Sequence, residues 1–268
     1  MLNLPVPATL DDADLTSLRQ AKALLEKPGV AVQLANWAGA PIEYVFDKRL
    51  PAKARTMVDK ATQKAIDAAC RAALTTFREH APAHAPRNGL HKLGVATSGA
   101  IGGFFGLAGL PVELPLTTTI MLRSILDIAR SEGESLDDPA TRIACLEVLA
   151  LGGSSDSDDA AETGYFAVRA ALAQQVSAAI NHLASKGLAD RGAPAVMNLM
   201  SRIATYFAIP VSEKAVAESL PAVGAITGST LNLIFIHHFQ RMALGHFVVR
   251  RLERSYGHDA VRTAYEAI

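Results

Sequence analysis

Aromatic side chains are scarce in this sequence: they make up 6% of the residues, with a single tryptophan. Sheets draw on aromatic and β-branched residues, and no useful stretch alternates apolar with polar, so a sheet protein is excluded. Charge is scarce too. Asp, Glu, Lys and Arg together reach 19%, against about 25% in an average soluble domain. The 26 basic residues balance the 26 acidic ones, which leaves no basic field for a nucleic-acid partner. The two cysteines, Cys70 and Cys145, fall far apart inside apparent helices. They read as small buried thiols, not as a disulfide or a metal pair. The first residues, Met1 to Pro7, have neither a basic nor an apolar leader region, and Asp11, Asp12 and Asp14 follow at once. No secretory signal is expected, and the expected location is the cytoplasm.

What is present is alanine, glycine and aliphatic side chains. Half of the 268 residues are hydrophobic and the mean hydropathy is +0.19. Such a chain builds close-packed helices with ample core. Helix signals recur along its length. Asp11 or Asp12 caps a first helix that ends at Lys27-Pro28-Gly29. A second runs from about Val30 with a kink at Pro41. A long one follows from about Ala52 to Glu79, and Pro82 and Pro86 then mark a loop. A helix is predicted from Leu116 to about Arg130, and Asp138-Pro139 opens another that runs to Leu151 with Gly152 as its C-cap. Residues 153–159 read as a surface loop. Further helices are predicted over 160–185, 193–208 (stopping before Pro210) and 212–220. A last long helix runs from Pro221 to about Tyr256, ended by Gly257.

The most unusual segment lies between Lys92 and Arg123, where Glu113 is the one charged residue. It is long enough for a bilayer, which needs about 20 mostly apolar residues. Gly99, Gly103 and Gly106 share one helical face, the small-residue spacing that lets two backbones approach. Gly224 and Gly228 give the last helix a similar face. Pro111 and Pro115, flanking Glu113, are expected to end the run in a turn. Both a soluble core helix and a membrane-inserting element fit, and a permanent span is the integral-membrane alternative. The following helix speaks against a simple second arm, because it carries Arg123, Asp127 and Arg130, and charges deep in a membrane are expensive.

Polar residues within greasy helices are the candidate site. Thr119, Arg123, Asp127 and Arg130 form one stripe, on which Arg123 and Asp127 are spaced to pair. Asn232, Phe239, His246 and Glu253 recur every seven residues and form a second. Such a stripe sets helix register or lines a cavity. Glu113 and Glu147 complete the candidate cluster of Glu113, Arg123, Asp127, Glu147, Asn232, His246 and Glu253. No metal is expected, since His238 and His246 are eight residues apart and no H-E-x-x-H spacing exists. No cofactor is expected either: the glycines around Phe104-Phe105 match neither a P-loop nor a dinucleotide fingerprint. Ser98 lacks a nucleophile-elbow context.

Several of these residues closely resemble the EcsC protein family. They are Gly102-Gly103-Phe104-Phe105-Gly106, Leu110-Pro111-Val112-Glu113-Leu114-Pro115, Thr117-Thr118-Thr119, Arg123-Ser124-Ile125 and Asp127-Ile128-Ala129-Arg130. Cys145-Leu146-Glu147, the run from Asn232 to Phe239, His246-Phe247 and Arg251-Leu252-Glu253 extend the resemblance. It is dense over 93–151 and 221–257 and weak over the first 80 residues. It implies a bacterial protein with membrane-linked physiology, through a genomic link to an ABC-type exporter, and it brings no catalytic residue.

The expected structure is one all-α domain over 1–268, with about seven to nine helices, a weakly resembling N-terminal part to about residue 90 and a core over 91–257. Its central elements are expected to be the two glycine-faced apolar helices. The expected function is that of a non-enzymatic, amphitropic protein, peripheral at the inner membrane, whose partner is membrane lipid or a membrane protein such as an ABC-type transporter. A lipid-type ligand binder is the second reading. An enzyme using the buried Glu/Arg/Asp/Asn/His cluster is the third, and convergence of those side chains would favour it.

Overall fold

In the computed structural model the described residues are 9–26, 29–30, 32–33, 50–75, 109–153, 164–188, 190–218 and 228–268. They form eight helices and no strand: α1 Asp12–Leu25, α2 Ala52–Thr75, α3 Leu110–Ser131, α4 Pro139–Leu151, α5 Gly164–Lys186, α6 Pro194–Glu218, α7 Gly228–Tyr256 and α8 His258–Ala267. The all-α reading and the number of helices hold. Gly99, Gly103, Gly106 and Gly224 lie outside the described residues, and Gly228 is the first residue of α7. Among the described residues no helix is long and apolar enough to cross a membrane.

Local chemistry sets the helix starts. Asp11 caps α1, its Oδ1 accepting from the Asp14 backbone N–H at 2.7 Å. Asp138 caps α4 in the same way, accepting from Ala140 N–H at 2.8 Å, with Pro139 in the first turn where no donor is missed. Packing sets the rest. The α4 helix is the innermost described element: every residue from Thr141 to Leu151 is buried, the polar Thr141, Arg142 and Glu147 included. Around it lie α2, α3, α5, α6 and α7, while α2 also rests on α3 and α6, and α1 packs along α7.

The structure corrects two boundary expectations and adds an element that was not expected. Pro111 and Pro115 do not end a turn. They lie within the first two turns of α3, where the first N–H groups have no helical partner in any case, so that only Pro115 removes a bond. Pro210 does not end a helix either: α6 continues through it to Glu218. The lost bond is offset by burial on both sides of the proline, with Phe207, Val211 and Ala215 all in the core. Finally, the chain turns at Gly257, with φ 85°, and enters α8. That short helix has just two buried positions, Val261 and Tyr265, too few for a clear period.

The last helix does make a close approach, but at a glycine not anticipated from the sequence. A Cβ on Gly245 would lie 2.7 Å from Leu25 Cγ and 3.0 Å from the Ala21 carbonyl oxygen, so its bareness is what lets α1 seat on α7.

Candidate functional site

The helices α3 and α7 run side by side in the same direction. Gln240 Nε2 donates to Ser124 Oγ at 2.7 Å midway along them, and Arg250 meets Glu134 just past the end of α3. The heptad stripe of α7 faces inward along this length. Asn232 is 1% exposed, and neither its amide nitrogen nor its oxygen has a hydrogen-bond partner among the described residues. Phe239 packs against Phe207 and Phe235, with ring centroids 5.4 and 5.1 Å away. His246 is fully buried, and Glu253 sits at the far end. At about 1.5 Å per residue, Asn232 and Glu253 stand about 30 Å apart. The seven candidate residues therefore do not converge on one point.

At the end where α3 begins, Glu113 meets Lys214 of α6. Lys214 Nζ donates to both carboxylate oxygens, at 2.9 and 3.2 Å, and Thr117 Oγ1 adds a contact at 3.3 Å. Both charged side chains are almost wholly buried. Arg123 is brought into no cluster: it is exposed on the outer face of α3. Asp127, one turn on, accepts from Arg130 Nη2 at 3.0 Å.

At the opposite end a second group assembles. Glu147 from α4, Phe166 and Arg169 from α5, Arg250 from α7, and His258 and Arg262 from α8 line a cleft of about 240 Å³, and Tyr165, His246 and Glu253 are linked to Arg169 directly or in turn. Arg169 grips Glu253 with both terminal nitrogens, at 2.7 and 3.0 Å, and donates to the Tyr165 hydroxyl at 3.2 Å. That hydroxyl and His246 Nδ1 share a hydrogen bond at 2.9 Å, and His246 Nε2 has no partner among the described residues. Burial, with Arg169 and Arg250 close by, pushes the His246 pKa well below its ordinary value, so the ring is neutral. Burial also raises Glu147 to about 7, though Arg169 and Arg250 oppose the rise. Behind Arg250, Glu134 accepts from Arg250 Nε at 2.9 Å, from Arg254, and from Thr141 at 2.9 Å. Burial alone would raise Glu134, yet the hydrogen bond and charge of Arg250 hold it below the usual carboxylate range.

The structure thus unites Glu147, His246 and Glu253 and leaves Glu113, Asn232, Arg123 and Asp127 elsewhere. The sequence reading missed Lys214, Tyr165, Arg169, Arg250 and Glu134. Arg169 follows Tyr165 by one turn, and Arg250 and Arg254 follow each other by one turn at the end of a mostly apolar helix. Those spacings were the available signal. Chemically, the cleft offers guanidinium donors, one carboxyl group able to exist in either protonation state at neutral pH, and an apolar wall of Phe166, Ala173 and Val176. Among the described residues no three His, Cys, Asp or Glu side chains are grouped to hold a metal ion.

No curated protein and no solved structure matches the chain. The model of the EcsC protein family matches residues 12–252, most of the sequence and nearly all of the described helices, so the chain belongs to the EcsC protein family.

Proposed function

We propose that this protein associates reversibly and peripherally with a membrane, docking through the end of the bundle where α3 begins, and acts there without catalysis of its own. One observation carries the reading. Glu113 is the lone charge between Lys92 and Arg123, and it is turned inward onto Lys214. The outer face of the first turns of α3 is left apolar: Val112 is 80% and Leu116 51% exposed, one turn apart. The same stripe continues through Thr119 to exposed Arg123, a long cation suited to the boundary between lipid and water. In sequence, α3 is preceded by the uncharged run from Leu93.

The magnitudes favour reversible attachment. Fully burying two such side chains is worth about 3–5 kcal/mol, which alone corresponds to roughly millimolar affinity. Neutral net charge adds no strong attraction to anionic lipid.

The test is co-sedimentation with vesicles of phosphatidylcholine and phosphatidylglycerol. The unaltered protein is expected in the vesicle pellet. The double variant Val112→Glu, Leu116→Glu is expected to lose at least tenfold in partitioning with its melting temperature preserved, since both side chains already face outward. An unaltered protein left in the supernatant, or a double variant that pellets equally well, overturns the proposal.

A further inference from the structure

We infer that the cleft between α4, α5, α7 and α8 is a binding site for a small phosphate monoester, gripped by Arg250 and Arg262 and hydrogen-bonded by Glu147. Three observations converge. First, there is room: about 240 Å³, with Phe166, Ala173 and Val176 in its lining. Second, its lining is cationic. Arg169, Arg250 and Arg262 line it with one carboxylate, Glu147, and the carboxylates that neutralise those guanidiniums, Glu253, Glu134 and Glu266, do not. Arginine presents several donors in a fixed fork, so a guanidinium engaged on one side still has N–H groups to offer on another.

Third, Glu147 has unmet bonding capacity. It is 6% exposed and lines the cleft, and it makes no hydrogen bond or ion pair among the described residues. Because it lines the cleft, a molecule held there can supply the bond that no protein group supplies. The partner is not a cation, because three guanidiniums share the same small space. It is an oxyanion, to which a protonated Glu147 donates its O–H. The groups around Glu147 are Arg169 and Tyr165 on α5, Arg250 and Glu253 on α7, and His258 and Arg262 on α8. Those from α8 sit at the mouth, exposed. The pair of Arg262 with Glu266 is exposed on both sides, so it holds Arg262 weakly.

An oxyanion beside Glu147 favours its protonated form, so binding must take up a proton near pH 7.5. A cation would release one. The proposal is independent of membrane docking, because the cleft lies at the other end of α3 from Val112 and Leu116. A phosphate monoester could come as a free metabolite or as a lipid headgroup. The probes are therefore glycerol 3-phosphate and dihexanoyl phosphatidic acid kept below its micelle concentration, titrated calorimetrically into the full chain. Paired buffers of different ionisation enthalpy report the proton.

Saturable binding with proton uptake is expected for at least one probe, and which one binds tells a free from a lipid-borne phosphate. Arg262→Gln, a change at an exposed side chain, is expected to weaken that binding about tenfold, the scale of one charge-assisted hydrogen bond. Glu147→Gln keeps a donor and is expected to bind with the proton uptake gone. Failure of both probes to bind, binding indifferent to Arg262→Gln, or tighter binding of putrescine with proton release would each overturn the inference.

Discussion

A single lysine shows how much of this fold rests on individual side chains. Lys214 is among the largest fully buried residues, and its ammonium group lies against Glu113 from a helix 101 residues earlier. Removing one partner of a buried pair strands the other charge, at about 3–5 kcal/mol. Lys214→Ala is accordingly expected to lower stability by that amount in urea denaturation. Lys214→Met combined with Glu113→Leu should recover most of it, since apolar pairs of similar volume often replace buried ion pairs without loss. A double variant as unstable as Lys214→Ala would show that the pair does more than neutralise itself.

Two other buried groups give stability a pH dependence of opposite sign. Burial raises Glu147 from 4.5 to about 7, so the folded state binds a proton that the unfolded state releases. Its contribution is most favourable below pH 4.5 and is lost as pH rises through about 7. The size is about 3 kcal/mol. Burial likewise lowers His238 from 6.5 to about 4, with Nε2–H donating to Gly152 O at 2.9 Å and Nδ1 accepting from Gln33 at 3.2 Å. Its contribution is whole above pH 6.5 and lost as pH falls toward 4. The two slopes offset each other between about pH 4.5 and 6.5. Measured against Glu147→Gln, the stability of the unaltered protein should fall by about 3 kcal/mol from pH 4 to 8. A difference that stays flat with pH would contradict the burial of an ionisable Glu147.

At the scale of elements, a proline in one helix explains a glycine beyond the end of another. Pro210 has no N–H to offer the Tyr206 carbonyl four residues back. Gly153 packs there so tightly that a Cβ on it would sit 2.0 Å from that oxygen. Gly153→Ala must therefore push α4 and α6 apart, at a cost of about 1–3 kcal/mol or more. A melting temperature unchanged by this substitution would refute the contact.

The same pair shows what a sequence discloses about elements. Asp11, Asp138 and Gly152 were legible because caps act within one turn. The proline at 210 was misleading because its penalty is offset by burial, which only the assembled bundle supplies. The short α8 was illegible because two buried positions carry no period. The α7 stripe was legible as an inward face, since seven-residue spacing fixes a side of a helix. The same spacing already placed its two ends about 30 Å apart, but it could not reveal which side chains of other helices meet each end, because periodicity specifies a face and not what packs against it.

Across the whole molecule, polarity is separated by end: a buried ion pair and bare apolar residues where α3 starts, guanidiniums and carboxylates where α3 and α7 finish. This layout was hidden because it depends on α3 and α7 lying parallel, which no local pattern encodes. A further consequence concerns synthesis. The apolar face of α1, with Leu18, Ala21 and Leu25, is covered by α7, and Lys22 reaches the Tyr265 carbonyl 243 residues later. At about 5–20 residues per second, the ribosome takes roughly 10–50 s to deliver that cover. During every round of translation, α1 waits that long with its greasy side bare, so the nascent chain is a natural client for chaperones that hold apolar helices until their partners emerge.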